Sequence, residues 1–214
     1  RLAYQNIFVV DPIYTLPFLT FLIIVMTIKK ENPKRSKFNN IGLSVSTSYL
    51  LLTLILKWVS FQKFEEGLQN QQIEYVEMDI KPSPLNAILW SSLIETDKGF
   101  RTAYYSLFDK QEITYSKVFL KNHHLLEPYL EQKVIKQLID ISAGWYRIEE
   151  KNGKLLFWDL RFGQMGMDVN TASFLWYYEL NIDSNGRVSA KKTQPKITNF
   201  KKLFLSLFSR IKGN

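Results

Sequence analysis

The sequence predicts an α+β protein in which two N-terminal transmembrane helices precede an antiparallel β-sheet domain. One observation behind this prediction is a pair of uncharged apolar stretches near the N-terminus, residues 12–28 and 41–56. The other is the change after the second stretch, where short runs rich in β-branched and aromatic residues alternate with turn signals. We therefore divide the chain into a transmembrane helical hairpin (1–60), an extramembrane α+β sheet domain (61–190) and a basic tail (191–214).

The first apolar stretch is long enough to cross a bilayer. Counted from Ile7, it has 22 residues with one charge, Asp11, and a helix of that length reaches about 33 Å, against about 30 Å of hydrocarbon. The second stretch has 16 uncharged residues and is followed by Lys57, which can snorkel, and Trp58, an interfacial aromatic. The alternative for both stretches is a pair of helices buried in the core of a soluble protein.

The loop between the two stretches predicts the membrane topology. Residues 29–40 carry five basic residues and one acidic residue, and short basic loops stay in the cytoplasm. We therefore predict a multi-pass protein of the bacterial inner membrane, with this loop cytoplasmic and residues 61–190 periplasmic. Residues 41–190 carry a net charge of −3, which argues against nucleic-acid binding and leaves the lipid bilayer as the expected partner.

The sheet domain is predicted to contain about six antiparallel strands and one inserted helix. Residues 61–72 are polar and are expected to form a short helix or linker that leaves the membrane. Turn signals at residues 97–99, 151–153 and 183–186 separate strand-like runs. The runs are 73–80, 86–96, 100–109, 113–120, 145–150, 154–162 and 172–182, and the helical spacing covers 127–142.

The tail ends in a predicted amphipathic helix. Asn199 is its predicted N-cap, and Gly213 is the predicted residue after its last turn. Residues 191–214 contain seven basic and no acidic residues, so the helix either lies in the membrane interface or packs on its own domain. The apolar residues that share one helical face are Phe200, Leu203, Phe204, Leu207, Phe208 and Ile211.

Asp11 is the candidate catalytic residue, and it has two interpretations. Asp followed by Pro is a favoured N-cap and first helical residue, so one interpretation is structural. The other is a functional carboxylate at the membrane edge, such as a metal ligand. His123 and His124 are adjacent and point in different directions, which favours surface histidines. The sequence has no cysteine and two histidines, and we expect no metal site within this chain.

Polar residues of two predicted strands form a candidate substrate-binding surface. In the segment FWDLRFGQMG (157–166), strand alternation places Asp159 and Arg161 on one face. Such a face can line a polar groove with Gly163 and Gly166 at its rim, and the alternative is a structural network of ion pairs and aromatic rings. The candidate substrate contacts are Arg101, Asp159, Arg161 and Gln164.

Five short segments occur in this sequence in the same order as in a known protein family. Through these segments the chain resembles the C-terminal two-thirds of the YdjM-type family of bacterial inner-membrane proteins, described as metal-dependent hydrolases. The resemblance covers nearly the whole chain. It implies that membrane segments with a histidine-rich signature precede Arg1, which agrees with a chain that does not begin with Met. The segments are NIFVVDPIYTLPF (6–18), NAILW (86–90), YYSLFD (104–109), DLRFGQMG (159–166) and RIKGN (210–214).

The resemblance also implies an activity for the longer protein. A divalent metal, zinc, would be bound by residues upstream of Arg1 and would activate a water molecule near the membrane face. The sheet domain would be the cap or substrate-recognition part, and the substrate a lipid-linked or membrane-adjacent ester. This chain by itself is then predicted to be inactive. The alternative is a non-enzymatic, membrane-anchored binding or scaffolding module.

Overall fold

The computed structural model of the chain describes residues 5–171, 173–195 and 199–214, and it shows an α+β fold. A hairpin of two helices is followed by two four-stranded antiparallel sheets, with a short helix between them in sequence and another helix at the C-terminus. The helices are α1 (Pro12–Thr27), α2 (Pro33–Asn70), α3 (Lys133–Ser142) and α4 (Phe200–Ile211).

The two helices of the hairpin begin in the same way. Asp11 accepts hydrogen bonds from the backbone N–H groups of Ile13 and Tyr14, at 2.9 and 3.4 Å, and a proline occupies the first helical position. Asn32 caps α2 by accepting from a backbone N–H at 3.0 Å, and a proline again follows. The predicted N-cap role of Asp11 is confirmed.

Among the described helices, α2 alone is long and apolar enough to cross a membrane, judged by length and composition. It has 38 residues, whereas α1 has 16 and rises about 24 Å. Two spans were predicted, a first one of 22 residues (7–28) and a second one of 16 (41–56). The structure differs because residues 7–10 are not helical, so the N-terminal apolar stretch forms a helix shorter than the hydrocarbon thickness.

The helices of the hairpin contact each other through small and polar residues. A Cβ added to Gly42 would lie 2.7 Å from the Cβ of Phe21, so the two helices approach closely there. Asn6 donates from Nδ2 to Oγ1 of Thr53 at 2.8 Å. Ser46 is also buried, while most leucine, isoleucine and valine side chains of this part of α2 are exposed. The buried residues of this part of α2 are therefore small or polar, while most of its large apolar side chains are exposed.

Helix α2 continues without a break into the sheet domain. Residues 61–72 were predicted as a short separate helix or linker, but residues 61–70 form the last turns of α2. Phe64 and Leu68 are fully buried there, with Leu56 and Phe61 packed at the edge of the same cluster. The last four turns of the helix are thus part of the core of the first sheet.

The first sheet packs on these last turns of α2. Its strand order is β1-β2-β3-β4, and each neighbouring pair is antiparallel. Thr96 pairs with Gly99, which confirms the turn predicted at residues 97–99. The strands are β1 (Glu77–Pro82), β2 (Leu89–Thr96), β3 (Gly99–Ser106) and β4 (Phe119–Leu120).

The second sheet has the order β5-β6-β7-β8, also fully antiparallel. Lys151 pairs with Lys154, which confirms the hairpin predicted at residues 151–153. The two residues between them, Asn152 and Gly153, have φ angles of 52° and 71°, as a type I′ turn requires. The strands are β5 (Tyr146–Lys151), β6 (Lys154–Met165), β7 (Ser173–Ile182) and β8 (Val188–Thr193).

The described residues form eight strands in two sheets, not one sheet of about six strands. Residues 113–120, predicted as one strand, contribute only β4 and an isolated bridge between Ala103 and Tyr115. Strand β8 lies outside the predicted strands because its sequence, VSAKKT, is mostly polar and exposed. The helix predicted at 127–142 is divided into a 3₁₀ helix, His123–Tyr129, and α3.

The two sheets pack against each other and carry helices on their outer faces. Helix α2 covers the first sheet through the cluster around Phe64. Helix α3 covers the second sheet through Ile135 and its neighbours, which contact Phe157. A third cluster, which includes Phe100 and Trp158, fills the space between the sheets. The domain is therefore a sandwich of two sheets with one outer helix on each side.

Helix α4 packs beside the first sheet near the end of β3. Asn199 accepts a backbone N–H at 2.9 Å, and Gly213, with φ of 89°, follows the last turn, so both predicted caps are confirmed. Leu207 is buried against Leu89 and Tyr104. Packing on the domain, one of the two predicted placements of the tail, is thus present for part of the helix.

Candidate functional site

The candidate site is a cleft between the two sheets, at the point where β6 bulges. The pairing of β6 with β7 shifts register between Asp159 and Gln164, and Gly163 in the shifted segment has φ of 77°. Bulges re-aim side chains and are common beside binding sites. The polar residues that line the cleft include Asp79, Lys81, Ser91, Thr102, Arg161 and Gln164.

The volume of the cleft limits what it can hold. It encloses about 30 Å³, which is room for a water molecule. Pockets that bury small molecules are usually about 300 Å³ or larger. A ligand would therefore contact the mouth of the cleft rather than its interior in this conformation.

Lys81 connects the two sheets at the mouth of the cleft. Its Nζ donates to the backbone carbonyl of Arg161 at 2.9 Å and lies 2.6 Å from Oδ2 of Asp79. Both charged side chains of this pair are partly exposed. The mouth thus presents one cation and one anion, held in place by a contact with β6.

Asp159 and Arg161 form a bidentate ion pair on β6. Arg161 donates from Nε to Oδ1 of Asp159 at 2.9 Å and from Nη2 to Oδ2 at 2.7 Å. The Asp159 side chain is 2% exposed and the Arg161 side chain 30%. The hydrogen bond to Asp159 raises the pKa of the Arg161 guanidinium, although partial burial opposes this. Both carboxylate oxygens of Asp159 are occupied, so the pair fixes the local conformation of β6.

Gln164 joins the two sheets inside the domain. Thr102 donates from Oγ1 to Oε1 of Gln164 at 2.9 Å, and Nε2 of Gln164 donates to the carbonyl of Val169 at 3.4 Å. Both side chains are buried. Buried polar groups are almost always hydrogen-bonded, so this network supports the sandwich, and a substrate would have to replace part of it.

Arg101 lies apart from the other three candidate contacts. It alternates with Thr102 along β3 and therefore points to the opposite face of the first sheet, where its Nη1 donates to the carbonyl of Ser116 at 2.5 Å. The structure thus places Asp159, Arg161 and Gln164 near the bulge and Arg101 elsewhere. Substrate contact at these residues stays a prediction.

Asp11 lies in the helical hairpin, away from the cleft, and is almost fully buried. Besides capping α1 through Oδ1, it accepts a hydrogen bond through Oδ2 from the Tyr49 hydroxyl at 2.7 Å. Tyr49 belongs to the uncharged stretch 41–56, so the carboxylate sits beside the apolar part of α2. Ionisable residues inside a membrane are costly and are often functional. A catalytic role for Asp11 stays a prediction.

A second polar cluster, which the sequence does not signal, lies where β4 and β5 meet. Nδ1 of His123 shares a hydrogen bond with the Tyr146 hydroxyl. Lys121 pairs with Glu95 at 2.9 Å and lies over the rings of Phe100 and Tyr146. Burial, and then the Glu95 charge, raise the pKa of Tyr146. These residues come from elements far apart in the chain, so no local pattern predicts the cluster.

Within the part of the chain that the structure describes, no group of three or more His, Cys, Asp or Glu side chains could hold a metal ion. The oxygens of Asp11 and Asp159 accept hydrogen bonds from protein groups. The described residues therefore do not fit a zinc site. In the interpretation taken from the resemblance, the ligands lie upstream of Arg1.

Comparison with known proteins leaves the chain without an assigned family. A scan against protein-family models finds no match. Searches of curated proteins and of solved structures find none either. The resemblance to the YdjM-type family therefore rests on the five short sequence segments alone.

Proposed function

We propose that this chain is a membrane-anchored binding module of the bacterial inner membrane, in which α2 holds the two-sheet domain rigidly at the bilayer surface. The observation that carries the proposal is the continuity of α2. One helix of 38 residues contains both the apolar stretch and the turns that are buried in the sheet domain. No flexible linker separates the two parts, so the anchor fixes the height and orientation of the domain.

The surface of the hairpin supports the membrane part of the proposal. Leu43, Leu51 and Ile55 are more than half exposed along the first half of α2. A contiguous apolar surface of this kind is unfavourable in water and suits a lipid environment. The small and polar contacts between α1 and α2 are typical of helices that associate within a bilayer. We propose that α1 lies in the membrane beside α2, which makes the protein multi-pass.

The charge of the connecting loop supports one orientation. Residues 29–40 are strongly basic and comprise the connection between the helices and the first turns of α2, which favours a cytoplasmic position. The sheet domain then lies on the periplasmic side. Its partner would be a component of the cell envelope close to the bilayer.

A surface beside the bulge of β6 is the best candidate for binding. Phe162 is half exposed and packs edge-on against Trp176, with ring centroids 6.2 Å apart. Lys192 lies 4.0 Å above the Trp176 ring, and Arg161 lies over Phe162. The surface is aromatic and carries the Lys192 ammonium, which can bind an anionic, membrane-adjacent ligand through charge-assisted hydrogen bonds, whereas the Arg161 charge is paired with Asp159.

Topology provides the first test, and the absence of cysteine from the sequence makes it direct. Ser36→Cys places a thiol in the basic first turn of α2, and Ser184→Cys places one in the exposed turn after β7. In cells with a permeabilised outer membrane, we expect a membrane-impermeant maleimide to label Ser184→Cys at once and Ser36→Cys only after lysis. Labelling of both positions from the same side would refute the membrane span.

Binding at the β6 surface is tested with a soluble headgroup mimic, glycerol 1-phosphate. We expect saturable, salt-sensitive binding to the full chain in nanodiscs, measured by tryptophan fluorescence, and its loss in Lys192→Gln. Lys191→Gln is the matched control, because neighbouring strand residues point to opposite faces. Equal affinity of both variants would overturn the assignment of this surface.

The second candidate function is that of the cap of a membrane metal-dependent hydrolase. The observation that favours it is the Asp11–Tyr49 pair, a carboxylate placed within an apolar helical hairpin. In this proposal the metal and its ligands belong to the part of the protein upstream of Arg1. The test is the zinc content of the longer protein. Stoichiometric zinc in the native protein, retained in Asp11→Asn because the ligands lie upstream, would support the proposal, and metal-free native protein would refute it.

A further inference from the structure

We propose that α4 lies on an anionic bilayer surface and inserts an apolar edge made of Phe204, Leu205 and Phe208, here called the aromatic edge. These side chains are 48%, 61% and 48% exposed. The inference rests on the proposed membrane span of α2. It adds a second, separate contact between the domain and the lipid.

The aromatic edge is distinct from the face of α4 that packs on the domain. Leu207 is buried and Ile211 is packed in the same cluster, whereas the rings of Phe204 and Phe208 contact each other at 5.4 Å and remain exposed. The sequence predicts a single apolar stripe. The structure divides it, so that the domain covers one side and leaves the aromatic edge unpartnered among the described residues.

The orientation of the aromatic edge is fixed by a buried ion pair. Arg210 donates from Nη1 and Nη2 to the two carboxylate oxygens of Asp109, both at 2.6 Å. The Asp109 side chain is 1% exposed. The Ser106 hydroxyl also donates to the carbonyl of Ile211 at 2.6 Å. Helix α4 is therefore held on the end of β3, and its exposed edge is presented without rearrangement.

This end of the first sheet is the end nearest the apolar half of α2. The N–H of Val76, six residues after the end of α2, donates to the carbonyl of Glu95, so the turn between β2 and β3 lies near the C-terminal end of α2. The Tyr105 ring, near the end of β3, packs against Phe64 of α2, with centroids 6.1 Å apart. Because Ser106 follows directly, the attachment point of α4 lies on the bilayer side of the domain.

The charge around the aromatic edge indicates the kind of surface that it contacts. At 100° per residue, Lys201 and Lys212 lie next to Phe208 around the helix, and both are exposed. Residues 191–214 contain no acidic side chain, and the nearby Asp109 is paired. Apolar and aromatic residues flanked by lysines match the interfacial region of a membrane with anionic lipids.

The test uses single cysteines in the full chain, reconstituted into vesicles of phosphatidylcholine with or without phosphatidylglycerol. Phe208→Cys carries an environment-sensitive fluorophore on the aromatic edge. Ser209→Cys is the matched control, one residue away and 100° around the helix. With phosphatidylglycerol present, we expect nitroxide lipids labelled near the headgroup to quench the probe at 208 several-fold more than the probe at 209.

A third variant separates failure of this inference from failure of the membrane anchor. Leu51→Cys lies on the exposed face of α2 and should be quenched by lipids labelled deep in the acyl chain. If that probe is quenched while positions 208 and 209 are quenched equally, α4 does not insert and the anchor stands. Equal quenching at 208 without phosphatidylglycerol would overturn the requirement for anionic lipid. An unquenched Leu51→Cys would overturn the anchor and the inference together.

Discussion

In α2, residues 33–55 bury only small and polar side chains, whereas residues 56–70 bury large apolar ones as well as Ser60. The first half buries glycine, serine and threonine and exposes its leucines, with Leu51 57% exposed. The second half buries Phe64 and Leu68 completely and exposes charged residues such as Lys63. The helix is continuous across the change. The helix is the same in both halves, and what changes is the kind of side chain that it exposes.

The two halves of α2 are held in place by different forces. In the second half, apolar side chains gain free energy by leaving water for the core of the first sheet. In the first half, the proposed lipid environment would remove that driving force, and close packing and polar contacts would then hold α1 against α2. The hydrogen bond between Tyr49 and Asp11 is one of these polar contacts, and the close approach of Gly42 to Phe21 is an example of the close packing.

The largest expected effect comes from emptying the core of the second half. Phe64→Ala removes a fully buried ring that packs against Tyr105 and should destabilise the domain by about 3–5 kcal/mol. Leu51→Ala, the matched change on the exposed face, should cost less than about 0.5 kcal/mol. Urea unfolding in detergent micelles, followed by tryptophan fluorescence, measures both. Similar losses for the two variants would contradict the comparison.

The next prediction places the same substitution in each half. Gly42→Ala forces its Cβ against the Cβ of Phe21 at 2.7 Å, close to the backbone of α1, whereas Gly67→Ala meets the hydroxyl of Tyr115 at 2.6 Å. A side-chain end yields more easily than an atom next to a backbone. We expect Gly42→Ala to loosen the hairpin by about 1–3 kcal/mol.

Gly67→Ala should cost about 1 kcal/mol or less, because higher helix propensity offsets part of the clash. Amide hydrogen exchange in nanodiscs separates the two effects. Exchange should increase in α1 for Gly42→Ala and only near Tyr115 for Gly67→Ala. Faster exchange of α1 in both variants would show that the halves are coupled rather than distinct.

A comparable effect is expected for one hydroxyl in each half. The Tyr115 hydroxyl donates to the carbonyl of Phe64 at 2.6 Å, and the Tyr49 hydroxyl donates to Asp11 at 2.7 Å. Tyr115→Phe should lower the free energy of unfolding by about 1–2 kcal/mol, because the buried carbonyl of Phe64 loses the hydrogen bond from the Tyr115 hydroxyl. Tyr49→Phe should cost more, about 1.5–3 kcal/mol, because an oxygen of the buried Asp11 carboxylate loses its hydrogen-bond donor. The reverse order, in the same unfolding assay, would place the hairpin in water.

The smallest effect at neutral pH concerns Tyr115, which packs against Phe64 in the second half of α2. Its ionisation makes the stability of the domain depend on pH. Burial raises the pKa of Tyr115, so the folded state holds its proton more tightly than the unfolded state. The contribution of Tyr115 to the free energy of unfolding is fully present below the pKa of tyrosine in the unfolded state, about 10, and is lost as the pH rises above it. We expect the free energy of unfolding to fall above about pH 10, and to fall less steeply in Tyr115→Phe. Identical slopes would exclude Tyr115 as a source of the loss.

Local signals in the sequence predicted much of the fold. The caps at Asp11, Asn199 and Gly213 and the turns at 97–99 and 151–153 depend on a few neighbouring residues, and all are confirmed. Strand β8 was missed because its side chains face solvent and show no apolar alternation. Strand β8 is held by its pairing with β7, and this pairing cannot be predicted from the sequence of β8 alone.

The candidate site was predictable only in part. Alternation along β6 placed Asp159 and Arg161 on one face, and the structure pairs them. The bulge before Gln164, the bond from Thr102 and the contact of Lys81 with β6 depend on the packing of two sheets. No periodicity within one strand contains that information.

By itself, the sequence determined the apolar stretches, the basic loop, the helix caps and the hairpin turns, because each depends on residues that are close in the chain. Only the tertiary structure decided that α2 runs unbroken from the apolar hairpin into a core at Phe64, and that the strands divide into two sheets. It also decided which side of α4 the domain covers. These features depend on contacts between distant segments, and their free energy comes from burial that no single segment can achieve alone.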